Sequence, residues 1–351
     1  MHAGPVHGFL LSSTGPTTAT GLSRLLDGTL SHDHVTRWLR QTTYGPADIW
    51  RQAKPLIRQA EAQRPAEAFA VLIVDDSVLE KAHTDANELI CTHWDHRQQR
   101  YVKGLNFVSL LYQAGERALP IAVELVRKTV PIYQPKTQKT SYQSPFIKNE
   151  YLQQMLRVAQ QQVAYRYLLA DSWYASAENM TLVRALGHHF VFALASSRTV
   201  ALSEADRAQG RFQAVQSLVF ADTQPLRVYL RSVQEAVLVS RQVFTNQDGS
   251  QRILYLVSSD TDLDQAQLTT ICQRRWKVEE YHKLLKQHAS MGKAPTKTLA
   301  TQATHFFAAV LAYTKLEVLK LKCGIGHFRL KAQLYTVGLK AMYHQLGQLR
   351  A

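Results

Sequence analysis

Acidic side chains occur at three places in this sequence where catalytic groups are expected. Asp75 and Asp76 close the segment "FAVLIVDD", Asp171 closes "RYLLAD", and Glu279 lies among cations in "ICQRRWKVEEYHKLLKQ". Together, Asp75, Asp171 and Glu279 would form a set of hard oxygen ligands that suits Mg²⁺, or Mn²⁺, rather than zinc. Such ions activate a water or a 3′-hydroxyl and stabilise the leaving oxygen at a phosphodiester. These residue types therefore predict metal-dependent cleavage of nucleic acid.

The segment around Glu279 also carries positive charge on one side of a predicted helix. At about 100° per residue, a stripe about 60° wide holds Cys272, Arg275, Glu279 and Lys286. Arg275 and Lys286 would offset the repulsion among the carboxylates and grip the phosphates of DNA. Taken by itself, the stripe is better explained as a solvated face whose ion pairs contribute only tenths of a kcal/mol each. The catalytic interpretation of this stripe therefore depends on observations from the rest of the chain.

The order of predicted strands and helices brings the first two acids together. Strands are expected at 69–76, 104–113, 118–126, 166–171 and 188–195, with helices at 146–164 and 176–187. Three strands, a helix, a strand, a helix and a strand form the order of a ribonuclease-H-like α/β layer. In that topology the first and fourth strands are neighbours, and chemistry gathers at the carboxyl ends of strands. We therefore expect Asp75 to lie close to Asp171.

The predicted fold class is α/β, a ribonuclease-H-like mixed sheet with flanking helices, a β-rich insertion and a helical N-terminal region that binds DNA. The expected parts are 1–64 for the N-terminal region, 65–196 for the first part of the core, 197–262 for the insertion, and 263–351 for the helical remainder with a basic C-terminal region. Helices are expected at 264–288, 299–322 and 328–348, and residues 127–145 are expected to form a loop.

The N-terminal region has the outline of a helix-turn-helix. Two short apolar stripes flank the turn at Asp27-Gly28 within residues 20–39, and Ser31 is a candidate N-cap. The second helix of this motif often lies on DNA, which makes Arg37 and Arg40 candidate DNA contacts. Any helical hairpin has the same outline, so an ordinary helical hairpin is the alternative interpretation.

Composition points to a folded, basic protein with a polyanionic partner. Lys and Arg number 41 against 27 acidic residues, for a net charge of +14, and 46% of residues are hydrophobic. Residues 265–351 hold 14 Lys and Arg and three acids, or +11. A basic region of this size predicts double-stranded DNA as the partner. Uninterrupted apolar runs such as "AFAVLIV" are far too short to span a membrane, and three scattered cysteines fit a reducing compartment. We expect a cytoplasmic, nucleoid-associated protein without a membrane partner.

These motifs resemble those of the DDE transposases of bacterial insertion sequences. The resemblance is to the branch marked by a Tyr-x2-Arg-x3-Glu-x6-Lys helix, which here reads Cys272-x2-Arg275-x3-Glu279-x6-Lys286. Cysteine stands in place of the tyrosine, and Tyr281 on the next turn is a candidate substitute. Asp75-Asp76-Ser77 matches the family's Asp-x-Ser/Thr motif, which favours Asp75 over Asp76. The segment "ADSWYAS" resembles the second-aspartate motif at Asp171.

The resemblance spans roughly residues 15–345 and carries functional expectations. It implies Mg²⁺-dependent cleavage of DNA at the ends of the element, joining of the 3′ ends to target DNA, and a homo-oligomer, taken as a dimer, in the active complex. Trp173 is equally well explained as a platform for a base near the cleavage site or as a core aromatic. Two alternatives remain open. One is a ribonuclease-H-like nuclease without strand transfer, and the other is a transposase-derived DNA-binding protein without catalytic activity.

Overall fold

The computed structural model describes residues 4–95, 98–136, 138–221 and 224–348. The helices are α1 Gly4–Ser12, α2 Ala19–Leu25, α3 His32–Gln41, α4 Pro46–Ala62, α5 Lys148–Ala159, α6 Ala177–Ala185, α7 Glu204–Ala208, α8 Gln265–Gln273, α9 Trp276–Gln287, α10 Leu299–Cys323 and α11 His327–Gln348. The strands are β1 Val71–Glu80, β2 Ile90–Asp95, β3 Arg100–Ala114, β4 Arg117–Leu125, β5 Val130–Gln134, β6 Lys139–Gln143, β7 Tyr167–Ala170, β8 His189–Leu194, β9 Thr199–Ala201, β10 Gln213–Ala214, β11 Leu226–Leu230, β12 Ala236–Thr245 and β13 Gln251–Ser258.

One mixed sheet dominates the fold, as the predicted class requires. Eleven of the described strands join in it, in the order β10-β9-β11-β12-β13-β8-β7-β1-β3-β2, with β4 on β3. Strand β1 pairs antiparallel with β3 and parallel with β7, and β7 pairs parallel with β8. These pairings confirm a ribonuclease-H-like arrangement in which the first strand and the strand before Asp171 are neighbours.

The strands within residues 197–262 extend this same sheet. Strand β13 pairs antiparallel with β8, and β12, β11, β9 and β10 follow outward from it. Backbone hydrogen bonds therefore run without interruption from this region into the strands that carry the candidate acids. The β-rich segment is a lateral extension of the sheet.

Two predictions about secondary structure were wrong. The segment 127–145, expected to be a loop, contains the antiparallel hairpin β5–β6. The helix expected at 264–288 is divided into α8 and α9, with a break at Arg274 and Arg275. The break lies where Arg274 turns toward the sheet, because its guanidinium donates to the carbonyl oxygens of Phe69 and Gln113, each at 3.1 Å.

Helices cover both faces of the sheet because β1 is apolar on both sides. Leu72 and Val74 belong to one buried cluster, with residues of α4, α5 and α6. Val71 and Ile73 belong to the other, with residues of α9 and α10. The N-terminal helices join this second cluster, where Val6, Leu10, Leu22, Val35 and Leu39 are buried with the middle of α10.

The predicted turn and cap between α2 and α3 are present. Asp27 and Gly28 both have positive φ, 50° and 73°, which is the left-handed conformation that a tight turn requires. The Ser31 hydroxyl accepts from the backbone N–H of His34 at 3.2 Å. Among the described helices, none combines the length and the apolar character needed to cross a membrane.

Candidate active site

Two of the three predicted acids lie side by side at the carboxyl end of the sheet. Strands β1 and β7 run parallel with Ile73 opposite Leu169, so Asp75 and Asp171, each two residues further on, come level with one another. Adjacent strands are about 4.8 Å apart, and residues two apart point to the same face. Ile73 and Leu169 both face α9 and α10. Their alternation directs Asp75 and Asp171 toward α9.

Asp76 points to the opposite face of the sheet. Its carboxylate accepts from Lys148 Nζ at 2.7 Å and from the Tyr174 hydroxyl at 3.1 Å. Lys148 begins α5, which lies on the face that buries Leu72 and Val74. Asp76 therefore already has a cationic partner, whereas Asp75 faces the helix that carries Glu279. This difference supports Asp75 as the candidate within "VDDS".

Helix α9 brings Glu279 over β1. Its apolar side buries Val278 and Leu285 in the cluster that contains Ile73, and Glu279 lies in its first turn, where the helix dipole favours negative charge. The Glu279 carboxylate lies 3.6 Å from Arg275 Nη1. The break before α9 thus leaves Arg275 at the start of a helix, with its side chain still beside Glu279.

Burial and the neighbouring acids both raise the pKa values of Asp75 and Asp171. Burial raises the pKa of Asp75 to about 8, with further upward contributions from Asp76, Glu279 and Asp171, and Arg275 opposes the rise. Burial also raises the pKa of Asp171, against the hydrogen bond that its carboxylate accepts from the Trp173 N–H at 3.0 Å. Burial, together with the neighbouring carboxylates, therefore disfavours the ionised form of Asp75 in the absence of a bound cation.

The donor chemistry of this cluster fits a hard divalent cation, since carboxylate oxygens are the ligands that Mg²⁺ and Mn²⁺ prefer. A cation bound there would favour the ionised form of Asp75, which burial and the neighbouring carboxylates disfavour. In the described ranges, no three His, Cys, Asp or Glu side chains are already drawn together as a metal-binding group. Asp75 and Asp171 are level on their strands, whereas the Glu279 carboxylate lies toward Arg275. The Glu279 side chain would therefore have to reorient toward the two aspartates to share a metal ion with them.

The predicted DNA contacts are distributed over three places. Lys286 donates from Nζ to Ser77 Oγ at 2.8 Å and to the Val78 carbonyl at 3.3 Å, beside the end of β1. Trp173 is 55% exposed, so it is not a core aromatic, and Lys148 lies 5.6 Å from its ring centroid. Arg37 and Arg40 lie on the exposed side of α3, away from its buried residues.

Tyr281 does not take the place of the tyrosine that the family motif has at the position of Cys272. Cys272 is half-buried on α8. Tyr281 is fully buried and meets Tyr313 edge to face, with ring centroids 4.8 Å apart. Tyr281 is therefore a core residue of α9.

Sequence reasoning missed two groups that touch the acids. His282 Nδ1 lies 3.7 Å from Asp75 Oδ2. Burial, with a smaller effect of Lys286, lowers the pKa of His282 to about 3, so the imidazole is neutral at physiological pH. His282 lies three residues after Glu279, and residues at this spacing are neighbours on a helix, so the sequence could have indicated that His282 lies near the site. No sequence signal pointed to Lys148 as the partner of Asp76, because 72 residues separate the two.

Known protein families match this chain over much of its length. The model described as "DDE superfamily endonuclease" matches residues 6–217, and the model described as "Transposase DDE domain" matches residues 147–315. Together these ranges contain Asp75, Asp171 and Glu279. A search of curated proteins with this sequence finds no match.

A search of solved structures finds one of endonuclease V from Ciona intestinalis, in complex with a 24mer DNA containing an inosine followed by a ribo-adenosine. The two chains are 10% identical, and the match covers 72% of this chain and 100% of that one, with a TM-score of 0.29. So low a TM-score supports no conclusion about this chain.

Proposed function

The chain belongs to the DDE superfamily of endonucleases, and on that premise we propose that it is a transposase, which cuts DNA at the ends of its element and joins those ends to target DNA. The observation that carries the proposal is the level placement of Asp75 and Asp171 on adjacent parallel strands beneath the helix of Glu279. The match to a transposase DDE domain over residues 147–315 favours strand transfer over hydrolysis alone.

In the proposed reaction, Asp75, Asp171 and Glu279 would hold Mg²⁺, with Mn²⁺ as a substitute. When bound there, the metal would supply Lewis-acid activation of the attacking water or hydroxyl and charge stabilisation of the leaving oxygen. First, a water oxygen bonds to the phosphorus at the element's end, and the bond from that phosphorus to the 3′ oxygen breaks. The freed 3′-hydroxyl then attacks a phosphorus of the target strand, and the target's own 3′ oxygen leaves.

The residues around the acids would hold the DNA in place for both steps. Arg275 and Lys286 flank Glu279 along α9 and would bind the phosphate oxygens on either side of the scissile bond. Trp173, exposed beside Asp171, would stack on a base at the cut. Arg37 and Arg40 on α3 would contact the element's end at a distance from the cut.

A second copy of the chain is the proposed protein partner. Helix α11 carries an exposed apolar stripe of Phe328, Tyr335, Leu339, Met342 and Leu346. Its residues follow steps of seven, four, three and four along the helix, the spacing of a two-stranded coiled-coil seam. The same stripe on two copies is self-complementary about a two-fold axis, which supports a dimer in the active complex.

The proposal is tested with the purified protein, Mg²⁺ and a duplex that carries the element's ends. We expect nicks at the ends, followed by products in which the ends are joined to a second DNA. The molar mass of the complex, measured by light scattering, should correspond to two copies of the chain. Nicks without joined products would favour the nuclease alternative. Binding without any cleavage would favour the inactive DNA-binding protein, and a mass with one copy would contradict the dimer.

A prediction concerns the two cations of α9. Arg275→Ala or Lys286→Ala removes a charge-assisted contact worth about 1.5–3 kcal/mol, so strand transfer should fall roughly 10- to 150-fold. Lys283→Ala is the matched control, because Lys283 is exposed and lies over the Phe328 ring, 5.1 Å from its centroid. Rates and melting temperatures of the three variants should be measured together. Equal, mild losses in all three would make the cations ordinary surface residues.

A further inference from the structure

The hairpin β5–β6 stands apart from the main sheet with both of its faces exposed. It forms a separate two-stranded sheet, every residue of β5 is exposed, and only Ser141 of β6 is partly covered. A two-stranded hairpin is at best marginally stable in water without something to pack on. Its exposed side chains therefore offer a surface for a partner.

The two ends of the hairpin are fixed to the main body of the protein, and the second end lies beside the candidate active site. Before β5, Lys128 donates from its backbone N–H to the Glu88 carbonyl at 2.9 Å and from Nζ to the Thr92 carbonyl at 2.6 Å. After β6, the chain leads into Lys148, which bonds Asp76 at 2.7 Å and lies over Trp173. The hairpin thus projects from the main sheet, which carries Asp75 and Asp171.

The charge of this segment is entirely positive. Residues 126–148 contain five Lys and Arg and no Asp or Glu. At the tip, Lys136 lies in the turn and Lys139 begins β6. A duplex carries one negative charge per about 1.7 Å of its length, so a nucleic acid matches this charge. A second copy of so basic a segment would be repelled.

The two tyrosines of the hairpin lie on one of its faces. Pro131 pairs with Tyr142 and Tyr133 with Thr140, so Tyr133 and Tyr142 are diagonal neighbours on the same face. They are 61% and 56% exposed. A two-stranded ribbon fits the major groove of B-form DNA, which is about 12 Å wide. Flat, amphipathic rings on such a ribbon can pack against the groove wall while lysines at its tip reach phosphates.

We propose that the β5–β6 hairpin is a DNA-binding element that enters the groove of the duplex next to the candidate active site. Lys136 and Lys139 bind phosphates there, and the Tyr133–Tyr142 face packs against sugars and base edges. The proposal rests on the proposed function only in that the polyanion is duplex DNA. It would orient the duplex so that the strand to be cut passes over Asp75 and Asp171.

The test uses the full chain and a fluorescein-labelled duplex of mixed sequence in EDTA, so that binding is measured without cleavage. Lys136→Gln/Lys139→Gln should weaken the Kd about tenfold and reduce the slope of log Kd against log salt by about 2, since each phosphate contact contributes about 0.9. The control Arg227→Gln/Arg252→Gln removes the same charge from exposed positions of β11 and β13 and should leave the slope nearly unchanged.

A second variant separates packing from charge. Tyr133→Ser/Tyr142→Ser should weaken the Kd about tenfold with the salt slope intact, and a hydroxyl-radical footprint should lose one patch of protection. Wild-type Kd and slope in both hairpin variants would overturn the proposal. If the hairpin variants change the molar mass of the protein in solution without changing the Kd for DNA, the hairpin binds a second copy of the chain and the proposal is overturned. Cleavage is not read here, so failure of the transposase proposal would appear separately, as wild-type protein that binds but never cuts.

Discussion

Replacing Asp75 with Asn, Asp171 with Asn or Glu279 with Gln is expected to reduce DNA cleavage by about a thousandfold or more while the protein still binds duplex. Each substitution keeps the shape of the side chain and removes one anionic metal ligand. Metal ions contribute several kcal/mol of charge stabilisation in the transition state, and every 1.36 kcal/mol corresponds to about a tenfold change in rate. Cleavage of a labelled duplex, together with its Kd measured in EDTA, gives both quantities.

Two neighbours provide matched controls for these variants. Glu280→Gln tests the position beside Glu279, because Glu280 is exposed and pairs with Lys277 at 2.9 Å; it should cleave at nearly the wild-type rate. Asp76→Asn breaks the contact with Lys148 and should mainly lower the melting temperature. An inactive Asp76→Asn with an active Asp75→Asn would reverse the choice between the two aspartates, and full activity in all three carboxylate variants would refute the metal site.

The second large effect is expected in stability. Mg²⁺ should raise the melting temperature of the wild-type protein by roughly 5 °C at a concentration about 100-fold above its Kd, since binding to the folded state alone contributes about 2.7 kcal/mol there. Asp75→Asn, which lacks one ligand, should show little or no rise. The measurement is a thermal melt with Mg²⁺ or EDTA, read by circular dichroism. An equal rise in both proteins would place the stabilising ion elsewhere.

In EDTA the same two proteins should differ in pH dependence. The folded pKa of Asp75 is raised to about 8 from an ordinary value of 3.8, so the folded state binds the proton more tightly than the unfolded state does. Stability from this group is complete below about pH 4 and is lost as the pH rises toward 8. Asp75→Asn should therefore melt above the wild type at pH 8, and the difference should shrink toward pH 4.

The order of the main strands could be predicted because local patterns carry it. The segment before Asp75 is a near-continuous apolar run, typical of a strand that is buried on both faces. The short apolar segment before Asp171 carries a similar pattern. Since the two strands run parallel and adjacent, the proximity of these acids followed from the order of elements.

The choice between Asp75 and Asp76 depended on more than sequence. Successive residues of a strand alternate between faces, and the sequence does not say which face α9 will cover. The contact between His282 and Asp75 and the bond from Lys148 to Asp76 join segments far apart in the chain. The break coincides with Arg274, whose bonds to Phe69 and Gln113 reach across the fold, and helical periodicity cannot reveal such contacts.

The packing of the N-terminal helices on α10 has a consequence for how the chain is made. Helix α1 begins at Gly4, whereas α10 ends at Cys323. At a synthesis rate of about 5–20 residues per second, roughly 15–60 s separate their emergence from the ribosome. Throughout that interval the apolar side chains of α1 and α3 lack the helix that buries them. The N-terminal helices, synthesised long before α10, are therefore among the last elements to reach their final packing, and the nascent chain must avoid aggregation until α10 has been made.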